Sequence, residues 1–179
     1  MIPNLKSISL YYSLIEIDND VFENVSNYEN IFFYNSINEI RQKFDVIFCM
    51  EVFEHVNKKF LSEALDNISN LLSKNGVCIV SVPIETGFGG FLKNIVRILI
   101  GETHENGTLK NLFKILLGIK IERDEDGDYI SSHVGFSHYE LEELIKIEKF
   151  RIQKKYYSPL SYFGPQLNSQ VIFIIDKKN

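Results

Sequence analysis

An α/β fold built on a mostly parallel sheet is what this chain predicts, and two observations carry the prediction. Apolar runs suited to buried strands alternate with segments of helical periodicity from Ser13 to Val82, the pattern of a sheet covered on both faces. One of those runs, Phe44-Asp-Val-Ile-Phe-Cys-Met-Glu-Val-Phe-Glu-His-Val56, passes without a break into an acidic, histidine-bearing segment. Chemistry in an open α/β sheet collects where a parallel strand ends and its helix begins, so Glu51, Glu54 and His55 stand where a site is expected. A length of 179 residues with 45% hydrophobic and 24% charged residues suits one domain with a sizeable core.

Taken in order, Ser13 to Ile17 reads as a strand, Asp18 as a helix cap with Asp20 and Glu23 in the first turn, and Ile31 to Tyr34 as the next strand. Phe44 to Met50 is the third. Lys59 to Ser73 follows with Leu61, Ala64, Leu65, Ile68, Leu71 and Leu72 at helical spacing. Lys74-Asn75-Gly76 is expected to end that helix with a left-handed residue, and Val77 to Val82 to form a strand stopped by Pro83. From Ile84 to Ser132 the alternation stops, which predicts an insertion over the sheet at about 84–132 within a single domain of residues 1–179. Tyr139 to Ile147 is a helix with Ser137 as its cap, and Phe150 to Tyr157 and Gln170 to Ile175 are two closing strands.

The formal net charge of −5 argues against nonspecific attraction to nucleic acid or anionic lipid, so no nucleic acid partner is expected. Cys49 and Cys78 both sit in apolar runs, where a free thiol behaves as a small hydrophobe, which suits a reducing compartment. No uncharged apolar run approaches the roughly 18 to 20 residues that span a bilayer, and Met1-Ile-Pro-Asn4 lacks signal-peptide character. A cytoplasmic protein is the expectation.

The segments in this order resemble the class I S-adenosylmethionine-dependent methyltransferases. Phe44-Asp45-Val46-Ile47, Phe53-Glu54-His55 and Lys74-Asn75-Gly76, leading into Val77 to Pro83, stand where that family has an FDvV strand, an LEH-type segment and a "lkpGG" turn into a strand ending in proline. His133 to Leu144 resembles the late segment before the family's final antiparallel strand pair. The resemblance implies a Rossmann-like sheet of order 3-2-1-4-5-7-6 with a C-terminal antiparallel hairpin. It also implies a departure, because no GxGxG loop precedes Leu14-Ile15-Glu16-Ile17, which resembles the family's second strand. The chain therefore reads as truncated, with the first strand missing or replaced by Met1 to Tyr12 or by a partner along an exposed sheet edge.

Roles follow from the resemblance residue by residue. Glu16, with Ile17 beside it, matches the position that accepts hydrogen bonds from the cofactor ribose, or is a solvated strand-end carboxylate. Ser36 and Ile37 match the adenine contacts, or are a turn serine and a core residue. Met50 and Glu51 face the transferred methyl group, where Glu51 can position or deprotonate an acceptor hydroxyl, and His133 is a second candidate base beside a structural reading. On a helix, Glu51, Glu54 and His55 share one face, and their pattern is similar to that of the ubiquinone-biosynthesis O-methyltransferases, which implies Mg2+ or another divalent cation; acidic residues also simply favour a helix start. The Phe88 to Ile100 segment reads as a lid or a peripheral membrane contact. A small-molecule, glycan or lipid-linked acceptor is implied, and a homo-oligomer is compatible. A noncatalytic methyltransferase-like module acting through a partner interface is the rival.

Overall fold

The computed structural model describes residues 37–85, 91, 95, 130 and 135–178. The chain divides into two compact units, Met1–Gln42 and Lys43–Asn179. Of the first, the described part is one 3-10 turn, Ile37–Glu39. The strands expected at Ser13 to Ile17 and Ile31 to Tyr34, and nearly all of the 84–132 insertion, lie outside the described residues.

In the second unit, strand β1 (Phe44–Met50) leads through a 3-10 turn at Phe53–His55 and another at Lys58–Phe60 into helix α1 (Leu61–Leu71). The side chain of Asn57 accepts from the backbone N–H of Lys59 at 3.1 Å and so opens this helical segment. Strand β2 (Leu72–Pro83) follows at once, and after the insertion come helix α2 (His138–Ile147), strand β3 (Phe150–Ser158) and strand β4 (Gln170–Lys177). Ser137 caps α2 as its sequence predicts, accepting from Glu140 N.

The four strands lie in the order β1-β2-β4-β3, with β1 and β2 parallel and the other two pairings antiparallel. Among the described residues this is the 4-5-7-6 part of the expected order. Alternation along paired strands gathers Ile47, Cys78, Val80, Val82, Val171, Phe173 and Ile175 on one face. They form one core with Leu61, Leu65 and Ile68 of α1 and Leu141 and Ile145 of α2. Both helices therefore cover the same face. On the other face of β1, Val46, Phe48 and Met50 are exposed, and among the described residues β1 pairs with β2 alone. No helix among the described residues is long and apolar enough to cross a membrane.

Two local expectations are corrected. The α1 helix ends at Leu71 and the chain turns straight into extended structure at Leu72 (ψ 141). The last turn of α1 is secured by Lys177, whose Nζ donates to the carbonyls of Leu72 at 2.9 Å and Ser69 at 3.4 Å. Gly76 is not a left-handed helix stop, a conformation that Gly135 adopts instead (φ 85). The register jumps from Phe44↔Leu72 to Val46↔Val77, so residues 73–76 bulge out of β2. There a Cβ on Gly76 would lie 2.8 Å from the backbone oxygen of Phe44. The residue is small because the strands pass too closely there for any side chain. Pro83, expected to stop β2, is its last paired residue, opposite Gln170.

The helix expected from Tyr139 opens one residue earlier at His138, which is fully buried and whose Nε2 has no hydrogen-bond partner among the described residues. Burial, reinforced by the Lys155 cation and opposed by Glu142, lowers its pKa to about 4. The Glu142 carboxylate itself pairs with Lys155 and, at 3.1 Å, with Lys146.

Gly76→Ala and Gly76→Asn are both expected to cost about 1–3 kcal/mol in urea denaturation. A left-handed glycine would have accepted asparagine with far less loss, so the pair of variants separates the two roles. For His138 the folded pKa lies below the unfolded value of about 6.5, so its contribution is complete above that pH and is lost as pH falls towards about 4. The thermal midpoint should drop between pH 7 and pH 5, and a His138→Gln variant should show a flatter profile over that window.

Candidate functional site

The carboxyl ends of the two parallel strands are built from three stretches far apart in sequence. Met50 ends β1 opposite Ser81 of β2, and because β4 runs antiparallel to β2, its first residue, Gln170, lies at this same end opposite Pro83. Glu51 follows Met50 with φ 52, a left-handed conformation rare outside glycine. Its own N–H donates to Ser81 O at 3.0 Å, extending the β1–β2 pairing by one residue.

That conformation directs the Glu51 carboxylate onto its neighbours. Oε1 accepts from Ser81 Oγ at 3.0 Å and from Gln170 Nε2 at 2.7 Å, and the Gln170 amide also lies 3.5 Å from Ser81 Oγ. Oε2 takes no part in either bond. Ser81 is fully buried while Glu51 is exposed, so a fixed hydroxyl and a strand-end amide hold one oxygen of a solvent-facing carboxylate.

Beyond Glu51 the chain folds into the single turn Phe53–His55, with Phe53 and Glu54 buried. His55 is tied to the chain that returns from the insertion: its Nδ1–H donates to Ile130 O at 2.8 Å, and Ile130 N donates to His55 O at 3.0 Å. The carbonyl is an acceptor only, so the proton sits on Nδ1. Cys49 is pushed up to about 12 by burial and then by the nearby Glu54 charge, and burial raises Cys78 as well. Both are free thiols that stay protonated, core residues rather than nucleophiles.

The expected metal cluster is not assembled. Glu51, Glu54 and His55 would share a face only on a continuous helix, whereas Glu51 is the left-handed residue closing β1 and the other two belong to a separate 3-10 turn. No group of three His, Cys, Asp or Glu side chains among the described residues is placed to hold a metal ion. Of the remaining candidates, Met50 is exposed at the strand end and Ile37 is 39% exposed in the first unit. Glu16, Ile17, Ser36 and His133 lie outside the described residues.

Ser81 and Gln170 are functional candidates that reading the sequence missed. A hydroxyl in the apolar run Val77 to Val82 and an amide opening the apolar run of β4 were the available signals. Only the strand register turns them into partners of Glu51.

Comparison with known proteins now gives this geometry a context. No curated protein matches the sequence. Among solved structures, a protein from Pyrococcus horikoshii OT3 is 11% identical with a TM-score of 0.55, covering 89% of this chain and 67% of its own. An S-adenosylmethionine-dependent methyltransferase from Clostridium acetobutylicum ATCC 824 is 13% identical with a TM-score of 0.52, covering 90% and 70%. The magnesium protoporphyrin IX methyltransferase of Synechocystis PCC 6803 is 11% identical with a TM-score of 0.47, covering 89% and 57%, so the chain spans little more than half of that enzyme. At these identities the first two establish likeness of fold. The family model described as "Methyltransferase domain" matches residues 4–112, more than half of the chain, and the protein belongs to that family of S-adenosylmethionine-dependent methyltransferases.

Proposed function

We propose that this chain transfers the methyl group of S-adenosylmethionine to a hydroxyl-type group of a small-molecule, glycan or lipid-linked acceptor, at the carboxyl ends of β1 and β2. The observation that carries the reading is the Glu51 carboxylate, held at Oε1 by Ser81 and Gln170 with Oε2 left out of both bonds. Holding one oxygen fixes the plane of the group, so the other can receive a proton from a defined direction.

The described residues suit the cofactor. A solvent-facing carboxylate supplies negative charge, and the exposed Met50 offers a soft, apolar contact at the same strand end. When bound, S-adenosylmethionine supplies a methyl group on a cationic sulfonium sulfur. Glu51 Oε2 would take the acceptor's hydroxyl proton as the oxygen becomes nucleophilic, while Ser81 and Gln170 keep Oε1 from rotating into its place. Glu16 and Ile17 are the proposed ribose contacts, Ser36 and Ile37 the adenine contacts, and His133 a second candidate base. Residues 84–132 would serve as the lid, within which Ile130 is hydrogen-bonded to His55.

The rival reading, a truncated noncatalytic module that meets a partner at the sheet edge, draws support from the exposed β1 residues Val46, Phe48 and Met50. Calorimetry separates the two. S-adenosylmethionine or its demethylated product is expected to give saturable heat, weakened about tenfold or more in Glu16→Ala by loss of hydrogen bonds to a charged group. Absence of heat at millimolar ligand would sink the enzyme reading. With a panel of hydroxyl-bearing acceptors and S-adenosylhomocysteine release as readout, Glu51→Gln is expected to lower kcat by roughly 10²–10⁴. Gln170→Ala should lower it less; full turnover in Glu51→Gln would remove Glu51 from the mechanism.

A further inference from the structure

The loop joining β3 to β4 has an apolar surface. From Ser158 to Gln170 no residue carries a charge. Leu160, Phe163 and Leu167 are exposed, and Tyr162 is 99% exposed.

This loop is also braced. Asn168, buried to 1%, accepts from Leu160 N at 2.7 Å through Oδ1, and its Nδ2 donates to the carbonyls of Leu160 (3.0 Å), Phe163 (2.9 Å) and Gly164 (2.9 Å). Phe163 N donates to Leu160 O at 2.9 Å, and the base is closed by Ser169 N to Ser158 O (3.0 Å) and Ile84 N to Ser169 O (2.8 Å). One buried amide thus reaches three of the loop's backbone carbonyls with its two N–H bonds.

We propose that the Pro159 to Leu167 loop inserts into the headgroup region of a zwitterionic phospholipid bilayer. Four properties select that occupant over another protein or a free ligand. Apolar side chains project outward with no charge to desolvate, and several backbone groups beneath them, Leu160 N and the carbonyls of Leu160, Phe163 and Gly164, already have a partner in Asn168, which lowers the cost of a poorly hydrated environment. The foremost residue is tyrosine, whose ring and hydroxyl suit the membrane interface. The chain's net charge of −5 disfavours an anionic surface, so the attraction is apolar and salt-insensitive. Because Gln170 follows directly, the docked face is the one that carries Glu51. The inference does not depend on the methyl-transfer reading.

The chain contains no tryptophan, so Tyr162→Trp in the full chain supplies a single reporter. Its emission should shift to the blue on adding phosphatidylcholine vesicles, equally at low and high salt. The double variant Tyr162→Ser, Phe163→Ser should keep its circular dichroism and lose vesicle cosedimentation by roughly tenfold or more, as expected for two aromatic side chains left in water. Four results would overturn the proposal: no shift; a shift that requires phosphatidylglycerol; a shift that grows with protein concentration in the absence of vesicles, which would indicate a second copy; or undiminished cosedimentation of the double variant. Calorimetry with S-adenosylmethionine on the same double variant should match the unaltered chain, which keeps this test separate from that of the catalytic reading.

Discussion

The register of β2 against its two neighbours is the constraint on which the described fold and its site both rest. Parallel pairing with β1 sets Met50 beside Ser81, and antiparallel pairing with β4 brings Gln170 to the same end. Alternation then divides the work of β2 between its faces. Cys78, Val80 and Val82 enter the core with both helices, while Ser81 turns its hydroxyl to Glu51. A slip of one residue would send every one of these side chains to the opposite face, burying the hydroxyl among aliphatic groups and exposing the core valines.

Against that constraint, what the sequence revealed and what it hid can be separated residue by residue. The β1 limits, the Ser137 cap and the closing strand pair were legible because each is a local signal: an apolar run, a hydroxyl three residues before an N–H to be capped, an apolar run between turn residues. Gly76 was legible as necessary but not as to why, since a glycine placed for a left-handed turn and one placed for close approach look alike in a sequence. The spacing of Glu51, Glu54 and His55 misled because it becomes proximity only if the backbone is one helix, and the turn at Glu51 breaks that condition. Ser81 and Gln170 were hidden because their role depends on partners 30 and 119 residues from Glu51.

The polar groups that the core does admit show how narrowly it tolerates charge. Cys49 and Cys78 remain neutral because burial removes the water a thiolate would need. His138 is held neutral by the same desolvation, with the Lys155 cation adding to it. Lys155 keeps its own charge on that same covered face by pairing with Glu142, and it lies over the rings of Tyr157 and Phe173.

The left-handed backbone at Glu51 can be weighed in the same terms. A non-glycine residue in that region costs on the order of 1–3 kcal/mol, and glycine would remove the cost. Each hydrogen bond to a charged group is worth roughly 1.5–3 kcal/mol when sheltered and less at an exposed site. Two such bonds to Oε1, with the backbone bond to Ser81 O, are therefore of the size needed to offset the strain. Glycine would leave the hydroxyl of the fully buried Ser81 without its carboxylate acceptor. The conformation and the hydrogen bonds thus require one another: the turn aims the carboxylate, and the carboxylate stabilises the turn. A strand end that needed only to reverse direction could do so with glycine and without either side-chain bond.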